Sequence, residues 1–153
     1  MKLEDVLNKD YIIPDLNSGE KREILEEMVG DLSTKVVGLN KEELLELILE
    51  REKLGSTGIG YGVAIPHAKM KGIKNILVSF ARSRKGIDFQ STDEKPVHLF
   101  FLIVAPENAT SSHLKILSEI SRILRESVFR KKLLKARDTE EIYQAIMEAD
   151  RVL

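Results

Sequence analysis

The residues that could do chemistry in this sequence are few, and each histidine has a distinct setting. There are three of them, His67, His98 and His113, and no cysteine or tryptophan. His67 ends the run Val63-Ala64-Ile65-Pro66-His67, directly after the glycine-rich loop GSTGIGYG of residues 55–62. Pro66 fixes its own φ and holds Ile65 extended, so the imidazole is presented on a stiff support just past a strand. His113 is in helical phase with Leu117, Ile120 and Leu124, which aims it at the core from the first turn of a helix. A helix N-terminus carries unpaired N–H groups and about half a positive charge, so an anion is favoured there. Arg51 follows Leu44, Leu47 and Ile48 at helical spacing, near the centre of their apolar stripe, while Glu42, Glu46 and Glu50 lie opposite. An unpaired buried charge is costly, and the glycine loop begins four residues later, so the guanidinium is directed towards that loop. His98 lies inside the apolar run VHLFFLIVA and is assigned to the sheet.

Two imidazoles and a guanidinium exclude several reactions and favour one. Two histidines without a placed carboxylate or thiolate are too few for a zinc site, so no metal is expected. The nucleophile elbow G-x-S-x-G of a serine hydrolase does not occur. The glycine loop lacks the lysine of a P-loop and precedes a strand rather than a helix, which argues against nucleotide binding. What remains is a phosphoryl group. A neutral imidazole nitrogen is nucleophilic near pH 7, and covalent capture on histidine splits one transfer into two easier steps. Arg51, His113 and a helix N-terminus would offset charge on the equatorial oxygens. No cofactor is needed for such a step.

These side chains need an α/β frame, with a small mixed parallel and antiparallel sheet sandwiched between helices. A helix is expected from about Gly19 to Asp31, with Asn17 as cap and Glu20 as its acidic partner. A second opens at Asn40, with Glu43 three residues on, and stops at Gly55. Strands are expected at 63–65, 75–81 and 97–105, with 86–89 a short edge strand or a turn. The run 97–105 is apolar enough for a central strand covered on both faces. Further helices are expected from about Ser111 to Glu126, over 128–136 capped by Ser127, and over 139–149 capped by Asp138.

Composition sets the outer limits. The chain has 153 residues, read as one domain over 1–153, with 42% hydrophobic and 32% charged residues, as in ordinary globular proteins. The absence of cysteine removes disulfides and thiol chemistry. Twenty-four Lys and Arg against 25 Asp and Glu give a net charge of −1, so no bulk field draws in nucleic acid. Arg122, Arg125, Arg130, Lys131, Lys132, Lys135 and Arg137 cluster locally, as a solvated face or a surface for an acidic partner. The charged start MKLEDVLNKD lacks the apolar core of a signal peptide. The longest apolar run, Leu99–Ala105, is far short of the roughly 20 residues that span a bilayer. A cytoplasmic protein with no membrane insertion is expected.

The stretch Arg51–His67, REKLGSTGIGYGVAIPH, resembles the phosphorylation-site signature of enzyme IIA of the fructose/mannitol type, from the bacterial phosphoenolpyruvate-dependent sugar phosphotransferase system. The resemblance extends through GIDF at 86–89, KPVHLFFLIVAPE at 95–107 and HLKILSEIS at 113–121 to the C-terminal helices. It implies a phosphotransferase working through phosphohistidine: His67 accepts the group from an HPr-like donor, His113 hydrogen-bonds it, and Arg51 supports its charge. Ser56, Thr57 and Gly58 would support the phosphoryl group from the loop. The implied acceptor is an enzyme IIB. The N-terminal segment LEDVLNKDYIIPDLNSGEKREILEEM looks like the free-standing nitrogen-regulatory branch, whose phosphorylation state is read by regulatory proteins. Tyr61 stands where the family more often has asparagine, and Ala68 where glycine is commoner; Tyr61 therefore bears on the docking surface.

Overall fold

The computed structural model describes residues 2–151. After a 3₁₀ turn at Leu3–Asp5, the order is β1 (Leu7–Ile13), α1 (Lys21–Lys35), α2 (Lys41–Leu54), β2 (Gly58–Gly60), β3 (Val63–Ala64), β4 (His67–Met70), β5 (Leu77–Ile87), β6 (Val97–Pro106), α3 (Thr110–Leu124), α4 (Ser127–Lys135) and α5 (Thr139–Arg151). The strands form one sheet ordered β1-β5-β6-β3-β2, with β4 also paired to β6. β1 runs parallel to β5, and β3 and β4 run parallel to β6, while β5–β6 and β2–β3 are antiparallel. The expected mixed sheet between helices is what forms.

β6 organises the sheet because its residues alternate between two apolar layers. Leu99, Phe101, Ile103 and Ala105 join the cluster that includes Ile116, Ile120 and Ile123 of α3, Leu133 of α4 and Ile146 of α5. Phe100, Leu102 and Val104 join the opposite cluster, with Ile24, Leu25 and Met28 of α1 and Leu44 and Ile48 of α2. Residues 99–105 are buried throughout, which explains why this run is apolar without polar alternation. After β6 the chain turns back through α3, so the start of α3 lies at the C-terminal end of β6.

Several local expectations need correction. β1 was not anticipated: its burial is irregular and its register to β5 shifts between Leu7 and Ile12, so the period-2 signal is broken. α1 starts at Lys21 with Glu20 as the flanking residue, and Asn17 is not its cap. Instead Glu27, inside the helix, accepts from the backbone N–H groups of Asn17 (3.1 Å) and Ser18 (3.1 Å). Ser127 is the first residue of α4 rather than its cap, a position taken by Glu126. Asp138 does cap as expected, accepting from the Glu141 N–H at 2.9 Å. The 86–89 run is neither a separate edge strand nor only a turn, because β5 continues to Ile87 beyond an irregularity after Arg82.

Arg82 shows why β5 is longer than its apolar part. Its side chain is fully buried, with Nε donating to the Pro14 carbonyl (2.9 Å) and one terminal nitrogen donating to those of Leu133 and Ala136 (2.7 Å each). The guanidinium thus satisfies carbonyls at the end of α4 that would otherwise be unpaired.

Candidate active site

His67 opens β4, in register with Ile103 of β6. The hairpin before it is tied down: the Ile65 N–H donates to the Thr57 carbonyl (3.0 Å), and the Ile103 N–H to the Pro66 carbonyl (3.0 Å). His67 Nδ1 lies 2.9 Å from the Ile65 carbonyl oxygen. A carbonyl only accepts, so Nδ1 carries the proton and Nε2 retains its lone pair. The ring is half-buried, and Nε2 is the nitrogen left with a free lone pair.

His113 comes from the first turn of α3 and is 4% exposed. Its ring stands edge-on to that of His67, with centroids 5.4 Å apart. Nδ1 of His113 is buried and without a hydrogen-bond partner among the described residues. Burial first, and then the neighbouring charges of His67 and Lys69, push its pKa down to about 4, so it is neutral at pH 7. A neutral ring with Nδ1 sealed away is best satisfied as the Nε2–H tautomer, because an unpaired acceptor costs less to bury than an unpaired donor.

Arg51 reaches the same place from the end of α2. One terminal nitrogen donates to the Gly55 carbonyl at 2.8 Å, which fixes the guanidinium at the helix terminus beside the loop. Arg51, His67 and His113 line one cavity of about 400 Å³ together with Leu47, Lys69 and Thr110. The three expected residues are brought together. A larger cavity of about 810 Å³ opens beside β1 and Tyr143 and contains none of them.

Ser56, Thr57 and Gly58 are not among the residues lining the site cavity. Ser56 Oγ donates to the Phe89 carbonyl (2.7 Å) and accepts from the Gly58 N–H (3.0 Å). Thr57 donates from both its N–H (3.1 Å) and its hydroxyl to the Glu52 carboxylate. Glu52 is buried and pairs with Lys21 at 2.9 Å, and Lys21 lies over the Phe89 ring. These residues brace the loop from behind. His98 donates from Nδ1 to the Ser83 carbonyl (2.9 Å), and a Cβ on Gly86 would approach its ring to 2.8 Å. It fills the bend in β5, away from the cavity.

Two residues escaped the sequence reading. Lys69 lies two positions after His67 on β4 and so on the same face; its Nζ donates to Thr110 Oγ1 at 3.0 Å across the cavity. The period-2 spacing from His67 was the available signal. Glu52 gave none, because a glutamate at a helix end is ordinarily solvated, and only the return of Thr57 and Lys21 makes it a buried brace.

The α/β sandwich thus holds two imidazoles edge-on beside an arginine in one cavity. The chain belongs to the family described as the phosphoenolpyruvate-dependent sugar phosphotransferase system, EIIA 2, which its residues 5–149 match. It is 41% identical over 146 residues to a nitrogen regulatory protein of Bradyrhizobium diazoefficiens, covering 95% of each chain. It is 39% identical over 151 residues to the PTS system fructose-specific EIIABC component of Bacillus subtilis, covering 99% of this chain and 24% of that protein. Its fold superposes with a TM-score of 0.88 on the crystal structure of nitrogen regulatory protein IIA-Ntr from Neisseria meningitidis, at 35% identity over 94% of this chain and 98% of that one. Among the described residues no helix is long and apolar enough to cross a membrane.

Proposed function

We propose that this chain is a cytoplasmic phosphoryl carrier in which His67 accepts phosphate from a phosphohistidine on an HPr-like donor and passes it to an enzyme IIB. The observation that carries this reading is the Nδ1 contact of His67 with the Ile65 carbonyl, at 2.9 Å. It leaves Nε2 as the attacking atom. The Nε2–P bond forms as the donor's N–P bond breaks, and the donor imidazole recovers its lone pair. No net proton moves, because His67 keeps the proton on Nδ1 throughout and the positive charge of the phosphorylated ring travels with the phosphoryl group.

The surrounding residues act on the charge that travels with it. The Nε2–H of His113 and the guanidinium of Arg51 line the cavity where the oxygens would sit, and preorganised donors of this kind are most effective where water is partly excluded. A dianion beside His113 opposes the burial that holds its pKa low, so the ring can strengthen its hydrogen bond as the group arrives. Lys69, held to Thr110, adds a second cation at the cavity. Ser56, Thr57 and Gly58 support the phosphoryl group indirectly, by keeping the hairpin that carries His67 in place.

The similarity to the Bradyrhizobium nitrogen regulatory protein over nearly the whole chain favours a second reading. Here the same His67 chemistry sets the binding of regulatory partners and feeds no sugar uptake. The two readings separate on discharge. Protein labelled on His67 is mixed with enzyme IIB: rapid loss of label supports the carrier, and retention of label with every IIB overturns it in favour of the switch.

A further inference from the structure

Tyr61 occupies a backbone conformation that favours glycine or asparagine. Its φ is +60°, followed by Gly62 at +76°, so the two residues form the tight turn of the β2–β3 hairpin. A bulky residue in this region costs roughly 1 kcal/mol. The ring gains no burial in exchange, since it is 72% exposed. It is nevertheless held in place: the Asp93 carboxylate accepts from its N–H at 3.3 Å, and the Arg130 guanidinium lies 4.8 Å from the ring centroid. Strain retained at an exposed, orientated aromatic points to a task outside the fold.

Its position shows which task. Val63 pairs with Leu99 and His67 with Ile103 along the same edge of β6, which puts the Tyr61 turn on the order of 15–20 Å from the imidazole at about 3.3 Å per residue. A protein covering roughly 800 Å² of this chain and centred on His67 would reach that far. α3 links the two, because it begins at the cavity and the carbonyls at its end accept from Arg130, which lies over Tyr61. Leu117 and the exposed Leu114 of this helix stand on the cavity wall, and Arg125 is at its far end. Arg125 and Arg130 have no carboxylate within ion-pair distance among the described residues. Arg130 spends one nitrogen on the Leu124 (2.7 Å) and Arg125 (2.9 Å) carbonyls, which offset only part of its charge.

We propose that Tyr61, stacked under Arg130 and with Arg125 at the adjoining end of α3, is a specificity-determining anchor for the phosphoryl donor. It would select a donor that presents carboxylates at the rim of the face carrying its phosphohistidine. The inference rests on the carrier reading of His67. Tyr61 does not touch the reacting atoms, so it acts on donor binding and leaves the transfer step alone.

The test is the rate of label transfer from a phosphorylated HPr-type protein to the full chain, measured against donor concentration. Tyr61→Asn suits the left-handed turn and keeps the fold; it is expected to raise KM about tenfold, as loss of an interface anchor does, with kcat held within about twofold. Tyr61→Phe keeps the ring and is expected to match the parent. Arg125→Glu, at an exposed position, is expected to raise KM and weaken its dependence on salt. Unchanged KM in both Tyr61→Asn and Arg125→Glu would overturn the anchor while leaving the carrier reading intact. Failure of the parent chain to take label from any phosphohistidine donor would overturn both together.

Discussion

The imidazoles of His67 and His113 meet edge to face, with centroids 5.4 Å apart and planes at 86°. They arrive from opposite ends of the C-terminal stretch of β6: His67 opens the strand paired to it, and His113 lies in the helix that follows it. His67 has its proton fixed on Nδ1 by a carbonyl, while His113 is kept neutral by burial. In the proposed transfer one ring attacks and the other donates.

That division of labour gives different outcomes for the two histidines. His113→Ala is expected to lower the rate of phosphoryl acceptance about a hundredfold, the scale of losing one preorganised donor, without abolishing it. Label uptake followed in rapid-mixing experiments would show this. Uptake at the parent rate would mean that His113 does not face the transferring group.

Burial of His113 also makes stability depend on pH. Its pKa is about 4 in the folded chain and about 6.5 unfolded. Between these values the unfolded chain binds a proton that the folded chain refuses, so stability falls as pH drops from about 6.5 towards 4 and levels off below. The contribution is up to about 3 kcal/mol. Urea unfolding at pH 7 and pH 4.5 should show a smaller loss in His113→Gln than in the parent; equal losses would place His113 in contact with water.

The brace behind the loop is the third point of test. Glu52 receives two bonds from Thr57 and pairs with Lys21. Glu52→Ala leaves the Thr57 N–H and hydroxyl without their acceptor and the Lys21 ammonium without its carboxylate, and is expected to cost about 2–4 kcal/mol. Urea unfolding would measure it, with slower label uptake as the hairpin loosens. An unchanged unfolding free energy would show that Lys21 and Thr57 find other partners.

How far the sequence could be read depended on whether a residue's partner lay nearby in the chain. The α2 phase placed Arg51 beside Leu47, and both line the cavity. The α3 phase put His113 inside, and the apolar run around Phe101 identified the central strand. Each is a local periodicity. β1 was hidden because its register slips between Leu7 and Ile12, and Asn17 does not cap because α1 begins only at Lys21 while Glu27 holds the Asn17 N–H. Glu52 and Arg82 are polar residues buried by partners 31 and 51 positions away, Lys21 and Leu133, and no spacing rule links such pairs. Lys69 was legible by strand alternation once His67 was placed on β4 rather than in a loop.

The most direct measurement is phosphorylation of the parent and His67→Gln chains by a phosphorylated HPr-type donor, followed by NMR of the histidine ring nitrogens in the labelled parent. The expected result is acid-labile, base-stable label on the parent at Nε2 of His67, and none on His67→Gln. Label that survives His67→Gln, or a phosphoryl group on Nδ1 of His67, would contradict it.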